Sequence, residues 1–542
     1  MKKKLSSFIA LSMLASVTMT GCSSDKDASK GADSSKQQSA NVQSVEFPLK
    51  EKTKYSIVQS RSDGFKPYQS LTAWNEQFEK KSNVHIDWQD WGTGDAYKQR
   101  SKLAFASSDL PDAFYGGFAI DGNEYTNYSS QGLLIPIEKM INKDIMPNFT
   151  KLVEKNPDLL KQMTAPDGHI YGLPSYQEST TNTNDTLLYN KLWLDKLGMT
   201  IPTTTDEFYN YLKAIKAAKD LNGNGKDDEI PLTFRFGTNG SVDKINGISS
   251  LIGFTGLIMP QNMVDIKDGK VIFVPGQPEY KEAMKFLGKL GAEGLIDKEA
   301  FTMDSNAYNA KVTSKVPSVG AAMYWSTANA NTPIGSDVFV YGPPLKGPDG
   351  KQRWAKRVTP VNFDIAFAIT NKAKNPEILL KWADMHYDTD TSIQNLNGPY
   401  DKYIKKLGNG QFEEILKPDG KQYSSVEKSA DTPVNFSLYV QLAEDYKLNK
   451  KTAATLSKEE AEKIYSPYFP KEVFMSPFMD QKDSERVTII TTDIGQYVTK
   501  MTAKWIYSGG VEADWNEYLN QLKKLGIDEL VNIQQKYYDK SK

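Results

Sequence analysis

Tyr55-Ser-Ile-Val-Gln59 is a short apolar run that reads as a buried strand, and Ser70 to Lys81 follows with helical spacing. Val84-His-Ile-Asp-Trp88 predicts a second strand and Ala96 to Ala106 a second helix. Leu110-Pro-Asp-Ala-Phe-Tyr115 reads as a strand end running into Gly116-Gly117. Strand, helix, strand, helix, strand is the pattern of a parallel sheet covered by helices. Ligands bind such sheets beyond the carboxyl ends of the strands. Those ends carry Ser60, Arg61, Trp91, Tyr115 and Gly116, with a glycine pair beside an aromatic face.

The pattern changes further along. Tyr189 to Leu197 has the spacing of an amphipathic helix stopped by Gly198. Ile201-Pro-Thr-Thr-Thr-Asp-Glu-Phe208 opens another helix running to Lys219, its Thr and Asp residues supplying the start signal. Tyr280 to Leu290 and Glu377 to Met385 are apolar at helical spacing, and Pro376 suits a first turn. Val487 to Tyr507 and Trp515 to Tyr537 predict long helices. Trp193, Trp382, Trp505 and Trp515 lie on these helical patterns, which places them in the core. The second half is helix-rich, and no internal repeat is visible.

At 542 residues the chain is long enough for two or more domains. Its formal net charge of -1 gives no bulk attraction to nucleic acid or anionic membrane. Aromatics are abundant, with 28 Tyr, 23 Phe and 9 Trp. Beyond filling cores, that supply suits a site that stacks flat faces and donates hydrogen bonds.

The amino terminus has its own character. Lys2, Lys3 and Lys4 precede an apolar run from Phe8 to Val17, which is short of the ~20 residues a bilayer span needs and reads as a signal peptide. Met19-Thr-Gly-Cys22 follows, and Cys22 is the only cysteine. An exported protein with no disulfide partner has little other use for one thiol. The segment resembles a lipobox, with Met19 where leucine is usual. That resemblance implies cleavage before Cys22, a diacylglyceryl thioether on its sulfur, and acyl chains such as palmitate anchoring the protein at the extracytoplasmic face of the cell membrane. From Ser23 to about Gln43 the composition of Ser, Lys, Asp, Ala, Gly and Gln is that of a flexible tether.

Asp167-Gly-His-Ile-Tyr-Gly-Leu-Pro174 is followed by Leu188-Tyr-Asn-Lys191, Leu197-Gly198 and Pro202-Thr-Thr204. Gly294-Leu-Ile-Asp297, Tyr341-Gly-Pro-Pro-Leu-Lys-Gly347 and Lys374-Asn-Pro-Glu377 come later. In this order and spacing the segments resemble the extracellular solute-binding proteins of ABC importers, in particular the large oligosaccharide-binding lipoproteins related to alginate-oligosaccharide-binding proteins. The resemblance implies an α/β fold of two lobes with a hinge and a helix-rich second lobe. It also implies an oligosaccharide held in the cleft, delivery to the transmembrane subunits of an ABC permease, and a monomer. The expected division is a signal peptide over 1–21, lipidated Cys22 and tether over 22–45, and the first part of lobe one over 46–175. The first part of lobe two follows over 176–320, a return mainly to lobe one over 321–400, and mainly lobe two with the C-terminal helices over 401–542.

Within 220–229, Asp220, Asn222, Asn224, Asp228 and Glu229 offer oxygen side chains, the Lys226 carbonyl adds another, and Gly225 permits a sharp turn. Calcium takes roughly six to eight such oxygens. The loop resembles an EF-hand loop but has Pro231 where the bidentate glutamate would stand, so Glu229 has to serve, as the alginate-binding relatives imply. A bound Ca2+ would brace the second lobe; a plain polar turn is the alternative.

For the ligand, aromatic rings take the apolar face of a sugar and polar side chains its hydroxyls. The candidates are Arg61, Trp91, Tyr115, Gly116, Tyr176, Glu178, Trp325 and Trp354. Catalytic signals are missing: the three histidines His85, His169 and His386 lack metal spacing, and no G-x-S-x-G elbow or phosphate loop occurs. The expectation is a binding protein and not an enzyme, with a sugar-sensing surface lipoprotein or a non-sugar receptor as the alternative. A glycan-active enzyme would need only a pair of cleft carboxylates.

Overall fold

A computed structural model describes residues 45–541 apart from 121, 179–180, 184, 237–246, 261, 357–360 and 475–477. Cys22, the signal segment and the tether up to residue 44 lie outside the described residues. No described helix is long and apolar enough to cross a membrane.

The chain opens with strands β1 (Thr53–Gln59), β2 (Val84–Asp90), β3 (Ala113–Tyr115) and β4 (Gly172–Gln177). Next come β5 (Thr186–Asn190), β6 (Ile230–Thr233), the hairpin β7 (Val264–Lys267) and β8 (Lys270–Phe273), then β9 (Val319–Tyr324) and β10 (Phe339–Gly342). The last are β11 (Val361–Ile369), β12 (Ile404–Gly408), β13 (Gln411–Glu414), β14 (Val440–Gln441) and β15 (Lys447–Leu448). A 6-stranded sheet runs β14-β4-β11-β3-β1-β2, a 4-stranded sheet runs β10-β5-β9-β6, and β12-β13-β15 form a small third sheet.

The strand–helix alternation at the start does produce parallel pairing, β1 with β2 and β1 with β3. β11 enters antiparallel between β3 and β4 and covers the edge each would otherwise expose. One face of this sheet packs Ile57, Tyr115, Leu173 and Phe367 against Phe78, Leu379 and Trp382. The other buries Val58, Phe114 and Ile365 with Phe105 and Tyr128, whose rings stack 3.6 Å apart. A separate core surrounds the 4-stranded sheet and takes in the helices from Ala453 onward. Trp193, Trp382, Trp505 and Trp515 are buried in these cores.

Helix starts follow local chemistry. Thr204 caps Thr205–Ala217: its side chain accepts from the Glu207 amide at 3.2 Å, and the Glu207 carboxylate accepts from the Thr204 amide at 3.2 Å. Pro376 begins Pro376–Asp384. Two predicted helices are redrawn. Tyr189 and Asn190 belong to β5, and the helix begins at Lys191 with the Asn190 side chain accepting from the Trp193 amide. The stretch from Trp515 to Tyr537 is split into Val511–Lys524 and Ile527–Ser541 at Gly526, whose φ of 96° no continuing helix adopts.

The sheets also move two of the sequence boundaries. Residues after 320 still complete β9 and supply β10 of the second sheet, so the return to the first sheet comes with β11 at Val361. Residues 401–441 contribute β14 to the first sheet, and the chain joins the second core only with the helix Ala453–Tyr465.

Candidate functional site

β1, β2, β3 and β4 point the same way, so their carboxyl ends share one edge of the first sheet, where antiparallel β11 begins. In the second sheet β6 and β9 end at the edge where β5 starts, and β10 ends there too. The chain crosses from the end of β4 to the start of β5, and from the end of β10 to the start of β11. These crossings tie the two edges together, and Thr183 and Lys356 pair across them as an isolated bridge. A cleft between the edges is therefore where loops of both lobes meet, away from both cores.

On the first edge, Arg61 follows β1. Its guanidinium pairs with Asp90 at 2.7 Å and donates to the Phe65 carbonyl at 3.0 Å, while its Nε is buried without a partner. Trp91 follows β2, half-buried, its indole N–H on Gln89 at 3.2 Å and the Arg100 guanidinium 5.6 Å from its ring. Glu178 follows β4, where its carboxylate accepts from the Ala443 amide at 2.9 Å and so ties one crossing to another. On the facing edge Trp325 follows β9, remains 38% exposed, and carries the Lys458 ammonium 3.6 Å from its ring centroid.

The other candidates face inward. Tyr115 is fully buried; its hydroxyl accepts from the Leu438 amide at 3.1 Å and approaches His386 Nδ1 at 3.4 Å. Burial pushes this phenol well above the usual range and holds His386 down at about 3, neutral within the core. Gly116 packs on backbone, since a Cβ there would overlap the Ser60 carbonyl oxygen. Tyr176 is buried in the first core, its phenol raised to about 12 by burial. Trp354 is buried in the second core, stacked 4.4 Å from Tyr465 and donating to the Asp185 carbonyl at 3.0 Å. These four are packed within the cores, and Tyr176 also lines a cavity of about 220 Å³ with Lys155 and Gln162.

The residue missed by sequence reasoning is Phe118. It lies two positions beyond Gly116 at the end of β3, is 64% exposed, and has a φ of 65°. The Gly-Gly-Phe order was the available signal. A second unanticipated group is Asp185, at the start of β5. It is wholly buried, with one oxygen accepting from Ser250 at 2.8 Å and the other without a partner. Burial lifts its pKa to about 7, against the opposing pull of the Ser250 hydrogen bond and the Lys458 charge.

The 220–229 loop is built around oxygen. Asp220 accepts from the Gly225 amide at 3.0 Å, Asn222 from the Asn224 amide at 3.0 Å, and Asn224 from the Lys226 amide at 2.8 Å. Both asparagine NH2 groups turn to Asp228, at 2.9 and 3.1 Å, and hold its carboxyl below the usual range. One Glu229 oxygen accepts from the Asn222 amide at 3.2 Å; the other is buried without a partner. Among the described residues no three His, Cys, Asp or Glu side chains group to hold a metal by themselves, so amide and carbonyl oxygens have to complete any set here. The orphaned Glu229 oxygen, beside the side-chain oxygens of Asp220, Asn222, Asn224 and Asp228 on the same loop, fits a hard cation such as calcium. A cavity of about 520 Å³ between Phe273 and Leu519 is lined by the hairpin and the C-terminal helices and by none of the residues at the two strand edges.

No known protein-family profile matches the chain. It is 32% identical to the fructooligosaccharide ABC transporter substrate-binding protein FusA of Streptococcus pneumoniae, over 99% of each chain. The solved structure of FusA in complex with kestose superposes with a TM-score of 0.78 at 28% identity, covering 90% of this chain and 99% of that one. An EF-hand mutant of FusA in complex with fructo-nystose gives 0.76 at 29% identity, again over 90% and 99%. A human-milk-oligosaccharide-binding protein of Bifidobacterium longum gives 0.79 at 26% identity over 90% and 99%. These relatives are two-lobed binding proteins, not enzymes. The end-to-end match and the paired strand edges together show that the chain belongs to the substrate-binding proteins of ABC transporters.

Proposed function

We propose that this protein captures an oligosaccharide between its two strand edges and hands it to an ABC permease. The observation that carries the reading is the match to FusA over 99% of both chains, which leaves no lobe unaccounted for. Fructose-based oligosaccharides are the first class to test. Trp325 offers a ring face on one edge; Arg61, Trp91 and Glu178 line the other, with the Arg61–Asp90 pair able to donate and accept at sugar hydroxyls. Closure of the lobes about the crossings buries the sugar between them. The protein works as a monomer at the outer face of the membrane, held there by lipid on Cys22 and spaced from it by the tether.

Calcium belongs to the 220–229 loop in this reading, held by Asp220, Asn222, Asn224, Asp228 and Glu229 side chains with the Lys226 carbonyl. The ion supplies positive charge that locks the loop between the helix Thr205–Ala217 and β6.

The test is calorimetric titration and thermal unfolding of the body from residue 45, with calcium, against kestose, nystose, milk oligosaccharides and galacturonate oligomers. A ligand at 100 times its dissociation constant adds ~2.7 kcal/mol to the folded state. A raised melting temperature with kestose or nystose supports the fructan class. A rise with another sugar alone keeps oligosaccharide capture and reassigns the class, and no rise with any of them sinks the reading.

A further inference from the structure

The Gly116 carbonyl accepts from the Ala119 amide at 3.0 Å, closing a four-residue turn at the end of β3. Phe118 is the third residue of that turn, at φ 65°, where glycine or asparagine is the relaxed choice. Gly117 stands immediately before it, so the turn has a glycine and places the phenylalanine in the strained position instead.

The surroundings leave this conformation no escape. The Gly116 amide donates to Ala366 at 2.8 Å, the Ser60 hydroxyl donates to the Gly117 carbonyl, and the Tyr97 hydroxyl donates to the Ala119 carbonyl at 2.7 Å. A second strained segment meets the turn. Val434 is a β-branched residue at φ 52°, a real outlier, and it leads into Phe436. The buried Tyr68 hydroxyl is shared between the Phe436 and Ser60 carbonyls at 2.7 and 3.1 Å, which locks this segment to the end of β1. The Phe118 and Phe436 rings then lie 6.3 Å apart, with Phe65 edge-on to Phe436 at 5.1 Å.

Two strained backbones thus hold a ring out where burial would be expected, at the carboxyl end of β3, an interior strand of the first sheet between β1 and β11. Strain of this kind persists only where the fold over-determines it, and it concentrates at ligand sites. Phenylalanine has no polar handle, so what it can recognise is an apolar C–H face. From this geometry we infer that Phe118, braced by Phe436, is the stacking platform for one sugar ring of the ligand on the first-lobe edge; the inference rests on the oligosaccharide reading above. Phe118 and Trp325 then supply one aromatic face from each lobe.

The experiment compares wild type with Phe118→Ala, Phe118→Gly and Phe118→Tyr by calorimetric titration, using kestose, nystose and whichever oligosaccharide of the panel wild type binds, alongside thermal unfolding without sugar. The expected result is at least tenfold weaker binding for the Ala and Gly variants, with Tyr within threefold of wild type. Phe118→Gly should melt at or above the wild-type temperature, because it relieves the strained turn while removing the platform. Binding of Phe118→Ala within twofold of wild type, or a Tyr variant as weak as Ala, overturns the platform while leaving oligosaccharide capture standing. A wild type that binds no oligosaccharide of the panel removes the functional reading and the platform with it.

Discussion

Tyr115 joins three parts of the first lobe through one hydroxyl: its own strand, the Leu438 amide, and His386 on the segment after Pro376–Asp384. Tyr115→Phe should therefore cost about 1 kcal/mol of stability, more if the Leu438 amide finds no other acceptor, and leave sugar affinity unchanged. Urea unfolding read beside a titration checks both halves. Trp325→Ala should do the reverse, with near-normal unfolding and binding weakened tenfold or more, since its exposed face has no core to support. The contrast explains what sequence could show at this scale. A tyrosine or tryptophan beside a strand end has the same local pattern whether it faces a core or a cleft. Tyr115 turns inward because β3 lies between β1 and β11, and β11 comes from more than two hundred residues downstream. Phe118 escaped notice because strain is a property of φ, and no composition or period reports it.

At the scale of elements, local chemistry was more readable. The capping box at Thr204 and the proline start at Pro376 are written in adjacent residues, and both helices begin where those signals stand. The break at Gly526 was hidden because helices 511–524 and 527–541 both carry apolar residues at helical spacing, and the period runs on across the gap. The 220–229 loop was legible as a set of oxygens at fixed spacing; which oxygen is left bare was not. If calcium holds the loop, a chelator should lower the melting temperature of wild type by several degrees. Asp220→Ala should melt near that lowered value with or without chelator. Equal melting of wild type with calcium and with chelator would leave the loop as a polar turn closed by its own amides.

For the whole molecule, two α/β lobes followed from the resemblance carried by the order of segments, but the points of crossing did not. Periodicity says what an element is and not which sheet it joins, so a return to the first lobe expected from 321 reaches the first sheet only with β11 at Val361. One consequence of the crossings is a pH response. Asp185 sits at the start of β5 with its folded pKa near 7, above the ordinary 3.8, so the fold favours its protonated form. The stabilisation from that proton is complete below about pH 4 and is lost as pH rises through 7. Asp384, raised to about 6 by burial, acts in the same sense at lower pH. His386 acts oppositely, because a buried neutral imidazole loses stability as pH falls below its ordinary 6.5. The difference between Asp185→Asn and wild type isolates the first effect. The variant should gain in melting temperature from pH 5.5 to pH 8 relative to wild type, and a constant difference across that range would refute the assignment.

The place of β11 also sets a timetable. Among the described residues it is the strand that touches both β3 and β4 in the first sheet, and it ends at Ile369, after the described strands of the second sheet have been made. During synthesis the first lobe therefore begins first and waits with a gap in its middle for a strand that has not yet emerged, while the second core closes only with the helices that end at Ser541. Contacts so distant along the chain form slowly. A chain that stays unfinished for most of its translation is one that can still be threaded through a membrane channel in extended form before it locks.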